Sequence, residues 1–452
     1  MPASEDSGLT RFIGLRSATG LVVANMIGAG IFTTTGFQAA DLGHPGLIYA
    51  LWVVGGVLAF CGALCFAELG AMLPRAGAEY VYIRESYGQA LAFVSAFVAL
   101  TAGFSAPIAA ATKSFVVYLG YLVAPLRENP ALFGVELADV CAIAVVWLLV
   151  AIHCRGARAG MRFSDAVTVF KVLGILAIIT AAVFWGDGQV ANIVAKAADY
   201  SEKSPADLAS AMATSLIFVT FCYLGWNGSA YVASEMKDPQ STLPKSLLAG
   251  TAIVTGLYLG LNVVYFYGAG VDGLQGQLNV GTLAAEKLFG PAGVTAVTLI
   301  LCISILASAS AMTVAGSRVF FAFGQDMHAV HWLARTSPNG SPWPALLLQG
   351  AVVSIIILSG RVDQILHYAG FTLTLFSAIA VSCVIALRIK APDMPRPFRV
   401  WAYPFTPLLF ITVSVWTMVW AFRGRPVESL LALATVAAGG LLFWAVNRRE
   451  SH

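Results

Sequence analysis

Asn25-Met26-Ile27-Gly28-Ala29-Gly30-Ile31-Phe32 lies inside an apolar stretch long enough to cross a bilayer, yet it places two glycines where a helix should be continuous. A helix in hydrocarbon must satisfy its own backbone hydrogen bonds, so a break is tolerated only where it lines a cavity. A second stretch, Phe221-Cys222-Tyr223-Leu224-Gly225-Trp226-Asn227-Gly228, reads the same way. One glycine pair alone is explained by close helix packing, since small residues are common at contacts between membrane helices. Two breaks at corresponding positions of two halves point to a binding site at mid-membrane.

The rest of the chain supplies those halves. Of 452 residues, 58% are hydrophobic and 11% charged, against roughly 25% charged in an average soluble domain. A soluble fold of this length has no way to bury so much apolar surface. The charges also cluster, leaving uncharged gaps of 26 residues after Asp41, 27 after Asp207, 26 after Lys245 and 30 after Lys287. Each gap holds one span of roughly 20 residues. The pattern predicts an all-α integral membrane protein with spans near 17–39, 45–73, 90–123, 137–154, 161–185, 208–235, 244–268, 291–322, 344–359, 363–387, 404–422 and 428–446. Spans 1 and 6, the two with breaks, correspond if spans 1–5 and 6–10 form two repeats.

Direction follows from the basic residues. Seventeen lie on the side of the termini and seven on the other, which predicts cytoplasmic termini by the positive-inside rule. The first apolar run exceeds a signal-peptide core and lacks a small-residue cleavage site, so it reads as a retained span. The segments are then a cytoplasmic N-terminal segment (1–16), a first five-helix repeat (17–185), an extracellular loop (186–207), a second repeat (208–387), a cytoplasmic linker (388–403), two further spans (404–446) and a cytoplasmic tail (447–452), all in the cell membrane. A net charge of +3 with scattered basic residues gives no nucleic-acid signal. The seven cysteines sit in or at the ends of apolar runs and read as packing residues. No cofactor or metal site is expected, because His328 and His331 stand in a loop without nearby cysteines.

The chemistry of a broken span is specific. Freed amides and the dipole at the start of the second half-helix suit a carboxylate. Freed carbonyls at the end of the first half suit an ammonium. A zwitterionic amino acid offers both groups together and needs no charged side chain to hold it.

Gly28-Ala29-Gly30-Ile31-Phe32 resembles the span 1 signature of the amino acid–polyamine–organocation family. Gly62-Ala63-Leu64-Cys65-Phe66-Ala67-Glu68-Leu69-Gly70, Pro74-Arg75-Ala76-Gly77-Ala78-Glu79-Tyr80, Glu235-Met236-Lys237-Asp238-Pro239, Ser317-Arg318-Val319-Phe320-Phe321 and Pro395-Arg396-Pro397-Phe398-Arg399 are similar to later signatures. Phe221 to Asn227 looks most like the L-amino acid transporter branch. The resemblance implies the LeuT-type fold, a five-plus-five inverted repeat with helices 1 and 6 unwound and two added C-terminal helices. It implies that the substrate carboxylate meets the amides of Ala29, Gly30 and Ile31 beside Gly28, and that the ammonium meets carbonyls of Ile27, Phe221, Cys222 and Leu224. It makes Phe221 the aromatic gate and puts Asn227 where some relatives for cationic substrates carry a carboxylate. The loop at 124–136 has no cysteine, so no disulfide-linked heavy subunit is expected.

Lys171 lies about ten residues into span 5, roughly 15 Å from its end by helical rise, too deep for its stem to reach water. By resemblance its ammonium replaces a bound sodium ion, with carbonyls near Gly28 and a hydroxyl such as Ser308 as partners. That implies sodium-independent transport, with exchange and proton-coupled symport both left open. Lys113 in span 3 is expected to snorkel outward. Glu68, Asp165, Glu235 and Asp363 all fall near helix ends; with no carboxylate in mid-span, a neutral substrate is favoured over a cationic amino acid or polyamine. A guess at further lining residues is Ser105, Ala106, Pro107, Phe376 and Ser377. A membrane enzyme needs clustered titratable groups at one depth, and a channel needs a continuous polar lining. Neither pattern is present in the sequence.

Overall fold

A computed structural model describes residues 11–132, 135–360 and 362–450. The helices are α1 (Leu15–Met26), α2 (Thr34–Leu42), α3 (Pro45–Met72), α4 (Glu79–Tyr87), α5 (Gln89–Val98), α6 (Ser105–Leu119), α7 (Ala124–Glu128) and α8 (Leu137–Cys154) in the first part of the chain. They continue with α9 (Ala157–Trp185), α10 (Pro205–Tyr223), α11 (Pro239–Leu274), α12 (Val280–Asp326), α13 (Trp343–Ser359), α14 (Val362–Lys390), α15 (Phe405–Gly424) and α16 (Pro426–Glu450). A two-stranded hairpin, β1 (Ala131–Leu132) antiparallel to β2 (Val135–Glu136), sits before α8.

Among the described residues ten helices are long and apolar enough to cross a membrane, and the shorter apolar α13 and the broken pair α1–α2 lie among them. Local sequence sets their ends. Ser204 caps α10 by accepting from the Asp207 amide, with Pro205 in the first turn. Gly43 ends α2 in the left-handed region. Leu148, Leu173, Val183, Ile355, Val419 and Leu441 are exposed. Such an apolar surface is unsuited to water and matches lipid.

Several boundaries differ from the sequence reading. α12 extends back to Val280, bent at Gly290, and α16 runs into the expected tail. Residues 1–10, 451–452 and the side chain of Asp363 lie outside the described residues. The third span is not one α-helix: α5 and α6 flank a π-helical turn at Ala99–Gly103. The connection 74–88, read as loop, contains α4. Lys113 reaches the first turn of α8. Its Nζ donates to Asp139 Oδ1 at 2.6 Å and to the Ile357 carbonyl at 3.0 Å, because α8 brings a carboxylate alongside.

Tertiary packing pairs elements of the two expected halves. α3 lies along α11, α6 against α12, and α8 against α13. α1 is enclosed by α11, α12, α9 and the 3₁₀ segment Gly228–Glu235.

Candidate substrate-binding site

α1 stops at Met26; residues 27–29 are non-helical, a 3₁₀ turn spans Gly30–Phe32, and α2 follows. α10 stops at Tyr223, and backbone resumes as a 3₁₀ helix at Gly228–Glu235. The two breaks cross in contact. A Cβ on Gly30 would stand 2.6 Å from Cys222 Sγ. Gly225 has φ +102° and lies so close to Asn25 that a Cβ there would meet backbone carbon at 2.6 Å. Only glycine fits both demands at 225.

The freed carbonyls are taken up by side chains from neighbouring helices. The Tyr258 hydroxyl of α11 reaches both breaks, lying 2.6 Å from the Met26 carbonyl and 2.7 Å from that of Cys222. Tyr118 donates to Phe32 O at 2.9 Å. Lys171 of α9 is fully buried and donates to Ala24 O at 3.1 Å and to Ile27 O. The buried Lys171 amino group thus caps the last turn of α1, where carbonyl ends gather negative potential. Ser308 Oγ of α12 is buried, makes no hydrogen bond, and lies where a Cβ on Gly28 would approach to 3.0 Å.

The freed amides are different. Among the described residues no acceptor takes the amides of Gly28, Ala29, Gly30 or Ile31. Four adjacent N–H groups at a helix start without partners are donors of the kind that suit an anion. Of the carbonyls expected to face an ammonium, Ile27 O holds Lys171, Cys222 O holds Tyr258 and Phe221 O accepts the Leu224 amide at 3.0 Å. Leu224 O has no donor among the described residues. Each carbonyl keeps a second lone pair.

Beside the breaks lies a small cavity of about 40 Å³. Phe221, Leu224 and Asn227 line it, as do Pro107, Phe376 and Ser377; Ile27 to Ile31, Cys222, Lys171, Ser308, Ser105 and Ala106 are not among its lining residues. The π turn contributes Ala99 and Gly103; such turns recur at functional sites. Asn25, Tyr231, Met312 and Glu79 complete the wall.

Glu79 is the residue that the sequence reading missed. It was sought in mid-span, but it comes from α4, outside the spans. Asn227 Nδ2 donates to Glu79 Oε1 at 3.1 Å and to Tyr231 Oη at 2.8 Å, and the Tyr231 hydroxyl bonds the same carboxyl. Burial pushes the Glu79 carboxyl up to about 7, against the lowering effect of Tyr231 and Asn227. The left-handed Gly77-Ala78 turn that aims it is no signal a sequence displays.

Crossed breaks, unpartnered amides and a central cavity in a many-helix apolar bundle define a membrane carrier, not an enzyme. A family model described as amino acid permease matches residues 13–443. The chain belongs to that amino acid permease family. It is 28% identical over 433 residues to the Large neutral amino acids transporter small subunit 2 of Homo sapiens, covering 95% of this chain and 79% of the relative. It is 28% identical over 458 residues to the Serine/threonine exchanger SteT of Bacillus subtilis (strain 168), covering 99% of both. It is 26% identical over 442 residues to the b(0,+)-type amino acid transporter 1 of Mus musculus, covering 97% of this chain and 88% of the relative.

Proposed function

We propose that this permease carries neutral L-amino acids across the cell membrane by alternating access, without sodium. The observation that carries this reading is the run of unpartnered amides from Gly28 to Ile31 in the first break, which packs against the second at Cys222. The substrate carboxylate binds the amides of Ala29, Gly30 and Ile31 beside Gly28. Its ammonium binds free lone pairs on the carbonyls of Ile27, Phe221, Cys222 and Leu224, and its side chain enters the cavity past the Phe221 gate toward Asn227. Lys171 supplies the fixed cation that stabilises the end of α1, with Ser308 close by.

The reading takes twelve spans in a LeuT-type arrangement: two inverted five-helix repeats over 17–185 and 208–387, then two helices in 404–446. The packing of α3 with α11, α6 with α12 and α8 with α13 supports it, since equivalents about a two-fold axis meet each other. Both termini are cytoplasmic, and the chain works without a disulfide-linked heavy subunit. The names of the relatives, a large neutral amino acid transporter subunit and a serine/threonine exchanger, support the substrate class.

Counterflow of radiolabelled amino acid into proteoliposomes tests the proposal. Serine, threonine and larger neutral amino acids exchange; a protein indifferent to all twenty refutes it. The carboxylate of Glu79 on the cavity wall favours a second reading, a cationic substrate. Lysine or arginine outcompeting every neutral amino acid would establish that one.

A further inference from the structure

The binding scheme uses main-chain groups and Lys171 and leaves one ionisable group of the cavity without a task. Glu79 lines the cavity. It is delivered by a strained turn: Gly77 has φ +96°, and Ala78 has φ +38° and ψ −104°. A non-glycine residue in such a region is strained. Neighbours hold the turn in place. The Gly77 amide donates to the Tyr231 carbonyl at 3.4 Å and the Tyr80 amide to Gly77 O at 3.0 Å. The carboxylate is fixed against the second break.

The groups facing it are neutral. Asn227 and Tyr231 come from the break, Tyr82 from α4 itself and Cys383 from α14. α5 contributes no titratable side chain. The charges nearby are committed elsewhere. Arg84 pairs with Asp326 of α12 and with Glu85. Arg318 pairs with Glu235, Arg388 with Glu68, and Lys390 donates to Ser86 O. Among the described residues no basic side chain is ion-paired with Glu79. For a carboxylate on a cavity wall with neutral donors and no cation, the counter-charge that water supplies is the proton.

We infer that Glu79 binds and releases a proton in the transport cycle, and that its charge state sets how firmly the second break is held to α4. The inference rests on reading the cavity as the transport site. When Glu79 is ionised, the bond from Asn227 is charge-assisted. When a proton from water adds to one carboxyl oxygen, the bond becomes neutral, about half as strong, and the new O–H donates to the Tyr231 hydroxyl oxygen. The break is then less tightly held. By linkage, a substrate that prefers the loosened state raises the affinity for the proton, and the proton raises the affinity for that substrate.

The test uses purified full-length protein. Infrared difference spectra over a titration from about pH 5 to about pH 9 brackets the range in which a raised carboxyl titrates. Wild type shows a protonated-carboxyl band that fades around neutral pH, and Glu79→Gln lacks it. In Asn227→Ala, which keeps Glu79 but removes a donor to its ionised form, the midpoint moves up. In liposomes, wild-type counterflow follows the protonated fraction, which changes about tenfold between one unit below and one unit above the midpoint; the Glu79→Gln profile is flat. Identical wild-type and Glu79→Gln titrations overturn the inference, as does an unmoved midpoint in Asn227→Ala or a pH profile that survives in Glu79→Gln. If wild type moves no amino acid at all, the transport reading fails instead, and the infrared titration still decides whether Glu79 takes a proton.

Discussion

A single methyl group at Gly225 tests whether the crossing of the breaks is as tight as the distances imply. Alanine there must adopt φ +102° and press on Asn25 backbone at 2.6 Å. Overpacking of this kind destabilises by about 1–3 kcal/mol, with backbone strain added. Gly225→Ala therefore melts at lower temperature and loses counterflow. Gly256→Ala is the control, because nothing lies within 4 Å of a Cβ there and alanine is the better helix former; its melt matches or exceeds wild type. Lys171→Ala is the second residue test. It leaves Ala24 O and Ile27 O without their ammonium, roughly 1–3 kcal/mol for each stranded buried group. The end of α1 is then free to settle in one conformation. Transport falls far more than equilibrium binding of labelled substrate, and equal loss of both would contradict the coupling role. Lys171 was legible in the sequence because a charge at that depth has no bland explanation. The partner of Lys113 was not legible because Asp139 lies on another helix, and helix pairing is invisible in one sequence. Glu79 was quoted within a motif, yet only the left-handed turn at Ala78 shows that it points into the cavity.

Among the elements, the two half-broken spans are tied to each other by Tyr258, whose hydroxyl reaches a carbonyl in each. Tyr258→Phe keeps the ring packing against Trp52 and Tyr223 and removes only the hydroxyl. Stranding buried carbonyls costs about 1–3 kcal/mol, so the variant's melting temperature drops and its substrate affinity weakens, as read by thermal shift with and without amino acid. An unchanged ligand-induced shift would mean that the bridge serves stability alone. The 3₁₀ segment that follows is anchored by Arg318 Nε on Glu235 Oε1 at 2.9 Å, both side chains buried. Removing Arg318 alone costs about 3–5 kcal/mol because Glu235 is left buried and uncompensated, while a matched apolar pair is tolerated. The helices themselves were legible, since each apolar stretch is as long as a bilayer is thick. The breaks were legible from glycines. The π turn at Ala99–Gly103, α4 and the backward extension of α12 were not, because they depend on which neighbours accept their backbone, not on hydrophobic length.

At the scale of the whole molecule, alternating access requires that the two crossed breaks change partners while the scaffold around them stays paired. A carrier driven by sodium has to bind that ion between its moving and fixed parts. Here the end of α1 already holds a basic side chain: Lys171 is covalently part of α9, wholly buried, and bonded to carbonyls of Ala24 and Ile27. On the proposed reading Lys171 acts as a tethered cation, which needs no concentration gradient to occupy its place, and no sodium is consumed in forming the binding state. Replacing sodium by choline on both faces of a proteoliposome therefore leaves the initial rate of neutral amino acid counterflow unchanged. At the end of α1 the carbonyls of Ala24 and Ile27 already accept from Lys171 and that of Met26 lies against Tyr258, so a sodium ion would have to compete with these donors. A rate that collapses in choline and returns with sodium would remove Lys171 from its assigned role, whatever the fate of the binding site beside it.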